Sequence, residues 1–352
     1  MSDLKALLRQ IFSSDHEVGD SINSATWMAL TEAGLLRVGI DESLGGVGGE
    51  LSDARTVVVG SAQAGVSGPL IDPLFVGSHL AARSGTPLPS GVVVAAVHRG
   101  QPWNLTHGEW QVCVSLSALP WVDRCDELWV LGPTSNFQSG LLRVSPDELV
   151  MTTGQSSLLD QRFDVDVFLD NTRVVVLPPE VLDEYCLVRA LGRSCEMLGA
   201  LRECLELSCR YAADRKQFRR PLASHQVIQH MLATMAADVA AAETAVAAAV
   251  ERTAVLGTEL GPEVAFAAAA AKVQTSIAAT RVARSAHQLH GAMGMAAEYP
   301  LHHYTTRLWS WRDEDGSEGY WSTRIAELVR QEYGGDIWAA LTAQSTQPTG
   351  SS

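Results

Sequence analysis

Residues 211–226 read YAADRKQFRRPLASHQ, and what this stretch is decides what surrounds it. On its N-terminal side, 187–213 (LVRALGRSCEMLGALRECLELSCRYAA) sets Leu191, Leu198, Leu201 and Leu205 on one face at helical spacing. On its C-terminal side, 223–253 keeps an apolar, alanine-rich pattern, with Ser224 placed to cap it. The stretch is therefore a basic loop, broken by Pro221, between two long helices. Gly261–Pro262–Glu263 opens a third helix ending near Gly291, because proline suits the first turn and glutamate the positive end of the helix dipole. A fourth helix fits 319–333 (GYWSTRIAELVRQEY). Long helices with short connections predict an antiparallel four-helix bundle over 178–340. The tail, 341–352, is small and polar and reads as disordered.

Upstream the pattern changes twice. Between 91 and 177 the chain runs through GVVVAAVH, EWQVCVSL, DELWVLG, GLLRV, DVDVFLD and TRVVVLP, separated by Pro, Gly, Asn and Asp. Short β-branched runs with such breakers predict an antiparallel β domain. Residues 1–90 read as helices with glycine-rich connections; Trp27, Leu30, Leu35 and Leu36 fall near one face before the breaker cluster GIDESLGGVGGE at 39–50. No Lys-Ser/Thr follows that cluster and no strand precedes it, so it reads as an ordinary turn and not as a phosphate cradle. The expected fold class is α+β: helices, β domain, helical bundle.

The chain has 352 residues and a formal net charge of −14, which argues against nucleic acid or an anionic membrane as partner. Its N-terminus, MSDLKALLRQIFSS, is charged and amphipathic, unlike a signal peptide. The longest apolar stretch, 264–283, carries Lys272, Gln274 and Arg281, costly in lipid, and reads as a helix of a soluble protein. The six cysteines form no CxxC pair, which suits a reducing cytoplasm.

Two segments carry candidate chemistry. In the first, Arg215, Arg219 and Arg220 could fork onto a pyrophosphate or a carboxylate, with Phe218 offering a flat apolar face beside that charge. In the second, HQLHGAMGMAAEYPLHHY at 287–304, Gln288 offers donor and acceptor, while Gly291 and Gly294 let backbone N–H groups approach an anion. The residues alone fit equally a surface loop and a glycine helix cap. His287, His290, His302 and His303 lack the Asp or Cys that would complete a metal site.

In order and separation these segments resemble the acyl-CoA dehydrogenase family. Its Arg-x-x-Phe-Gly-x-Pro-Leu, entering a Gln-bearing helix, corresponds to Arg215, Phe218, Pro221, Leu222 and Gln226, with Arg219 at the Gly position. Its Gln-x-x-Gly-Gly-x-Gly, followed by Glu-Tyr-Pro, corresponds to Gln288, Gly291, Ala292 and Gly294, then Glu298, Tyr299 and Pro300. WMALTEAGLLRVGIDESLGG is similar to the family's N-terminal motif, with Asp41 replacing a Pro. The likeness spans nearly the whole chain.

The resemblance implies FAD, an acyl-CoA substrate and a carboxylate base. The family's Glu-Gly-Thr base turn falls on Asp315, Gly316 and Ser317, so Asp315 is the candidate base, shorter by one methylene and ringed by Asp313, Glu314 and Glu318. An alternative base position on the bundle's first helix falls near Arg189, with no carboxylate within a turn. The family's Thr-Glu-Pro segment has no counterpart between 91 and 110, and its ring-stacking strand aligns with Leu116–Pro120, where Ala118 and Pro120 replace the aromatic and the hydroxyl and Trp121 stands next in line. The pattern implies a heteromeric enzyme of the α2β2 type, resembling those of actinobacterial steroid side-chain degradation. In it Arg215, Phe218, Gln226, Gln288, Gly291 and Ala292 complete an FAD site shared with a homologous partner. A self-sufficient enzyme using Asp315 and a non-catalytic scaffold of the same fold stay open as alternatives.

Overall fold

The computed structural model describes residues 2–13, 24–106, 109–154, 160–217, 219–256 and 260–342. The chain divides into two compact units, Met1–Gly192 and Arg193–Ser352.

The first unit begins with α1 (Ser2–Ser13), α2 (Ala25–Glu32), α3 (Leu51–Ala64) and α4 (Ser78–Ser84). Ser24 caps α2 by accepting the Trp27 N–H at 3.1 Å, and Gly65, at φ 84°, stops α3. The glycine cluster at 39–50 is the turn its sequence suggests: the Arg37 guanidinium closes it by donating to the carbonyls of Gly45 (2.8 Å) and Pro89.

Eight strands follow: β1 (Val93–Val97), β2 (Asn104–Thr106), β3 (Glu109–Pro120), β4 (Glu127–Pro133), β5 (Ser139–Val144), β6 (Val150–Thr153), β7 (Arg162–Thr172) and β8 (Val174–Leu177). They form two four-stranded sheets, β1-β4-β5-β8 and β2-β3-β7-β6. The second sheet is antiparallel as expected, but β1 pairs with β4 in parallel, Val93 opposite Glu127 through Val97 opposite Leu131. The chain crosses to the other sheet as β2 and β3 before returning, and that crossover permits parallel pairing. Burial explains the strand sequences. The first sheet packs on the second through Val94, Val130 and Leu142, and on Leu80 and Tyr185 through Ala95, Trp129 and Leu131, so its strands are mostly apolar. Strand β3, buried on one face, alternates from Glu109 to Leu116. Trp103 sits in the sheet-to-sheet core, and a Cβ added at Gly132 or Gly140 would lie 2.6 or 2.8 Å from its ring.

Helix α5 (Val181–Asp214) runs across the unit boundary. The second unit continues with a hairpin of β9 (Lys216–Gln217) and β10 (Arg220–Pro221), then α6 (Gln226–Leu256), α7 (Pro262–His290), α8 (Leu301–Asp313), α9 (Glu318–Glu332) and α10 (Ile337–Thr342). Helix α7 packs against α6, α8 and α9, and its buried alanines let their axes approach. Three expectations need correction. Ser224 does not cap α6: it lies in a 3-10 turn and donates to the Pro221 carbonyl at 2.7 Å. The bundle holds an additional helix, α8, whose buried Leu301, Tyr304, Thr305 and Leu308 have helical spacing hidden among polar residues. Of the tail, Leu341 and Thr342 belong to α10, and 343–352 lie outside the described residues.

Among the described residues the helix long and apolar enough to cross a membrane is α6, over Gln226–Ala254 with mean hydropathy 1.3 and a third of its most apolar window buried. Within the unit two of its acidic residues are paired: Asp238 with Arg281 at 3.3 Å, Glu243 with Arg202.

Candidate functional site

At one end of the second unit the two motif segments come together. Leu222, after the hairpin, packs with Ala212 of α5 and Leu289 of α7, and the Leu222 N–H donates to the Arg215 carbonyl at 2.8 Å. Below them His290 of α7 donates from Nδ1 to the Ala286 carbonyl (2.8 Å), so its Nε2 accepts from the Tyr299 hydroxyl (3.0 Å), and its ring lies 4.4 Å from that of Tyr211. Burial holds the His290 pKa below its ordinary value, consistent with this neutral tautomer. His290 is thus a packing residue, and no cluster of metal-ligating side chains occurs among the described residues.

This core places Arg215, Gln226, Gln288, Gly291 and Ala292 on the surface, all exposed, while Phe218 lies outside the described residues. Gly291, at φ 58°, ends α7 and opens the 3-10 turn Gly291–Met295 that holds Ala292; a Cβ added at Gly291 would meet nothing within 4 Å, so only its backbone angle requires glycine. Arg219 stands at φ 66° in the tip of the hairpin. A left-handed conformation costs an L-residue about 1–2 kcal/mol. A guanidinium and two side-chain amides are donors a diphosphate accepts, and so fit that part of FAD.

Asp315 lies elsewhere in the unit, in the turn between α8 and α9. It adopts φ 55° and Gly316 φ 94°, where a Cβ on Gly316 would reach within 2.7 Å of Tyr320 Cδ1. Trp321 Nε1 donates to the Asp315 carbonyl at 2.9 Å, and the Ser317 hydroxyl caps α9 by accepting from the Tyr320 N–H. Each residue of Asp-Gly-Ser thus has a backbone task.

The Asp315 carboxylate meets Arg193. Three nitrogens of this guanidinium engage three carboxylates: Nε with Asp315 at 2.8 Å, Nη1 with Glu196 at 2.6 Å and Nη2 with Glu314 at 3.1 Å. Its cationic carbon lies 5.6 Å from the Trp311 ring centre. Beneath the turn Lys272, fully buried, donates from Nζ to the carbonyls of Trp311 (3.1 Å), Arg312 (2.9 Å) and Gly316 (3.0 Å). Burial pushes its pKa down to about 8. A bound guanidinium stabilises carboxylate charge, opposite to the desolvation that makes a strong carboxylate base. Sequence reading missed Arg193 and Lys272. For Lys272 the signal was a charge on an otherwise apolar helix face, which in a buried helix marks a partner brought from elsewhere.

In the first unit, β3 has a register shift between Leu116 and Leu119. Ala118 there takes φ 56° and donates its N–H to Asp164 at 2.9 Å, while Pro120 pairs with Arg162. Trp121 packs partly buried against the sheet-to-sheet core. Near the alternative base position, Arg189 donates to Asp72 at 2.7 Å, and Asp72 also accepts the Ala95 N–H at 3.0 Å.

The family model for the acyl-CoA dehydrogenase C-terminal domain matches residues 188–329, the region that holds both the motif surface and the Asp315 turn. Over these residues the chain matches the acyl-CoA dehydrogenase C-terminal domain. It is 27% identical over 309 residues to acyl-CoA dehydrogenase IpdE2 of Mycobacterium tuberculosis, covering 86% of this chain and 84% of that one. The acyl-CoA dehydrogenase fold is shared with the ChsE4-ChsE5 complex from Mycobacterium tuberculosis (TM-score 0.82, 20% identity, 94% of this chain and 97% of that one). It is shared too with the Tcur3481-Tcur3483 steroid ACAD (TM-score 0.81, 21% identity, 95% and 98%).

Proposed function

We propose that this chain is one subunit of a heteromeric FAD-dependent enzyme that desaturates an acyl-CoA at its α,β carbons. In this reading Arg215, Phe218, Gln226, Gln288, Gly291 and Ala292 complete an FAD site whose ring-holding half and base belong to a homologous partner, in an α2β2 assembly. FAD, if held there, would supply the acceptor for the hydride from the β-carbon. The likeness to two-protein complexes, one of them a steroid enzyme, supports both the partner and a steroid side-chain acyl group. The free cysteines and acidic surface fit a cytoplasmic enzyme.

One observation carries the reading. The chain presents the described residues of the cofactor motif as an exposed donor surface, while Asp315, its candidate base, is held by Arg193. Here this chain's residues bind and orient: Arg215 offers two parallel N–H donors to a diphosphate, Gln288 a donor and acceptor, and Gly291 room for close backbone approach. The Arg193 knot and Lys272 give the 313–317 turn its shape without a free base.

The test is flavin content. The protein purified alone is expected colourless, and one FAD per two chains is expected after co-expression with its homologous partner. A stoichiometric flavin in the isolated chain would refute the shared site and return Asp315 to the role of base.

A further inference from the structure

Arg219 is an exposed residue in the left-handed region, φ 66°. In the second unit Arg193, Arg202, Arg210, Arg281, Arg312 and Arg324 all pair with carboxylates. Arg215, Lys216, Arg219 and Arg220 pair with none among the described residues, in a chain of net charge −14. Arg220 donates to His225 Nδ1 at 3.2 Å, which leaves Arg219 exposed at the tip. The strands on either side of the tip are paired, Arg220 with Gln217 and Pro221 with Lys216, and Leu222 anchors the base to Leu289. Arg219 therefore cannot relax its backbone by moving the hairpin. Glycine would hold φ 66° without strain, so an arginine there implies an interaction that offsets the strain.

That interaction lies outside this chain. Four cations within six residues, none paired with a carboxylate among the described residues and anchored beside the α7 end that carries Gln288 and Gly291, suit a small, multiply charged anion better than a single carboxylate. We infer that Arg219 is an additional diphosphate-binding residue of the shared FAD site, a second guanidinium on the cofactor beside Arg215. The inference rests on the shared-site reading.

Arg219→Gly tests it in the co-expressed complex, by titrating FAD into the apo-complex and following flavin fluorescence at low and high sodium chloride. Loss of one partly exposed charge-assisted contact is expected to weaken FAD binding about tenfold at low salt and to flatten its salt dependence. The thermal midpoint of the apo-complex is expected to stay level or rise, since glycine relieves the strain. A merely structural role would move both readouts down together. Arg219→Lys, which keeps the charge, is expected to retain most of the affinity.

Unchanged FAD affinity in Arg219→Gly overturns the inference, and if the complex also dissociates more readily, Arg219 belongs to a protein interface instead. Arg215→Ala separates the two levels. If it loses FAD while Arg219→Gly does not, the inference falls and the shared site stands. If the wild-type complex takes up no FAD, or Arg215→Ala binds it fully, both fall.

Discussion

Replacing Arg193 by methionine keeps the side chain's approximate volume and removes the guanidinium that contacts Glu196, Glu314 and Asp315. The three contacts span 2.6–3.1 Å, with Arg193 and Glu196 at 9% and 5% side-chain exposure and Asp315 and Glu314 at 14% and 21%. Stripping one partner from a buried ion pair costs about 3–5 kcal/mol, because the remaining charge stays out of water. Two of the carboxylates retain some solvent, which places the loss near the lower bound, about 3 kcal/mol at pH 8. The remaining like charges favour protonation, so the penalty is expected to shrink toward pH 5 as the folded variant binds protons that the unfolded chain releases. Urea unfolding followed by tryptophan fluorescence reads this directly, since Trp311 and Trp321 contact the turn. The two units need not unfold together, so the transition that reports Trp311 is the one compared. A loss below about 1 kcal/mol at pH 8, or one that does not shrink with acid, would refute the account of Arg193 as the fixture of this turn.

Two further outcomes bear on the same turn. Asp315→Asn keeps the backbone and an oxygen toward Arg193, so turnover of the co-expressed complex is expected to change less than about tenfold; a loss beyond about a thousandfold with FAD still bound would make Asp315 the base. Lys272 has a folded pKa near 8 against 10.5 for the free side chain. Between those values the unfolded state holds a proton the folded state has lost, so stability relative to Lys272→Met is expected to rise by about 1 kcal/mol per pH unit from pH 8 to about 10.5 and to be flat below. Urea midpoints of both proteins across that range check it, and a falling difference would show that the three carbonyls hold the ammonium charged.

The long helices were legible because burial imposes a 3.6-residue period on them, and Gly261–Pro262 and Gly291 mark their ends as read. Helix α8 was not, since its buried face includes Tyr304 and Thr305, which satisfy burial through packing and hydrogen bonds instead of hydrophobicity alone. The parallel pairing of β1 with β4 was invisible for another reason: register between strands 34 residues apart (127 − 93) is set by crossover geometry, which local patterns do not encode. At the candidate site, the family resemblance singled out Arg215, Gln288 and Asp315 as candidates. It could not reveal that Asp315 is engaged, because Arg193 reaches it from 122 residues away in the chain.

Among the described residues the non-glycine residues at positive φ are Ala118, Trp121, Phe137, Arg219 and Asp315. All but Phe137 fall in or beside a segment aligned with a family motif: the ring-stacking strand, the Arg-Phe loop and the base turn. The strained backbone therefore persists where the side chains differ from the family's. A chain released from all constraint would lose such conformations first, because each costs about 1–3 kcal/mol and a relaxed alternative is usually one substitution away. Their retention argues that the surfaces they shape are still used, though for different tasks. Ala118 and Asp315 have their backbone or carboxylate bound within the chain, to Asp164 and to Arg193. Arg219 alone of these three combines the strain with an exposed charge that pairs with no carboxylate among the described residues. Two motif segments are thus closed on the chain itself and one is open to the outside, the division of labour a subunit would have if it lends half a cofactor site and leaves the chemistry to its partner.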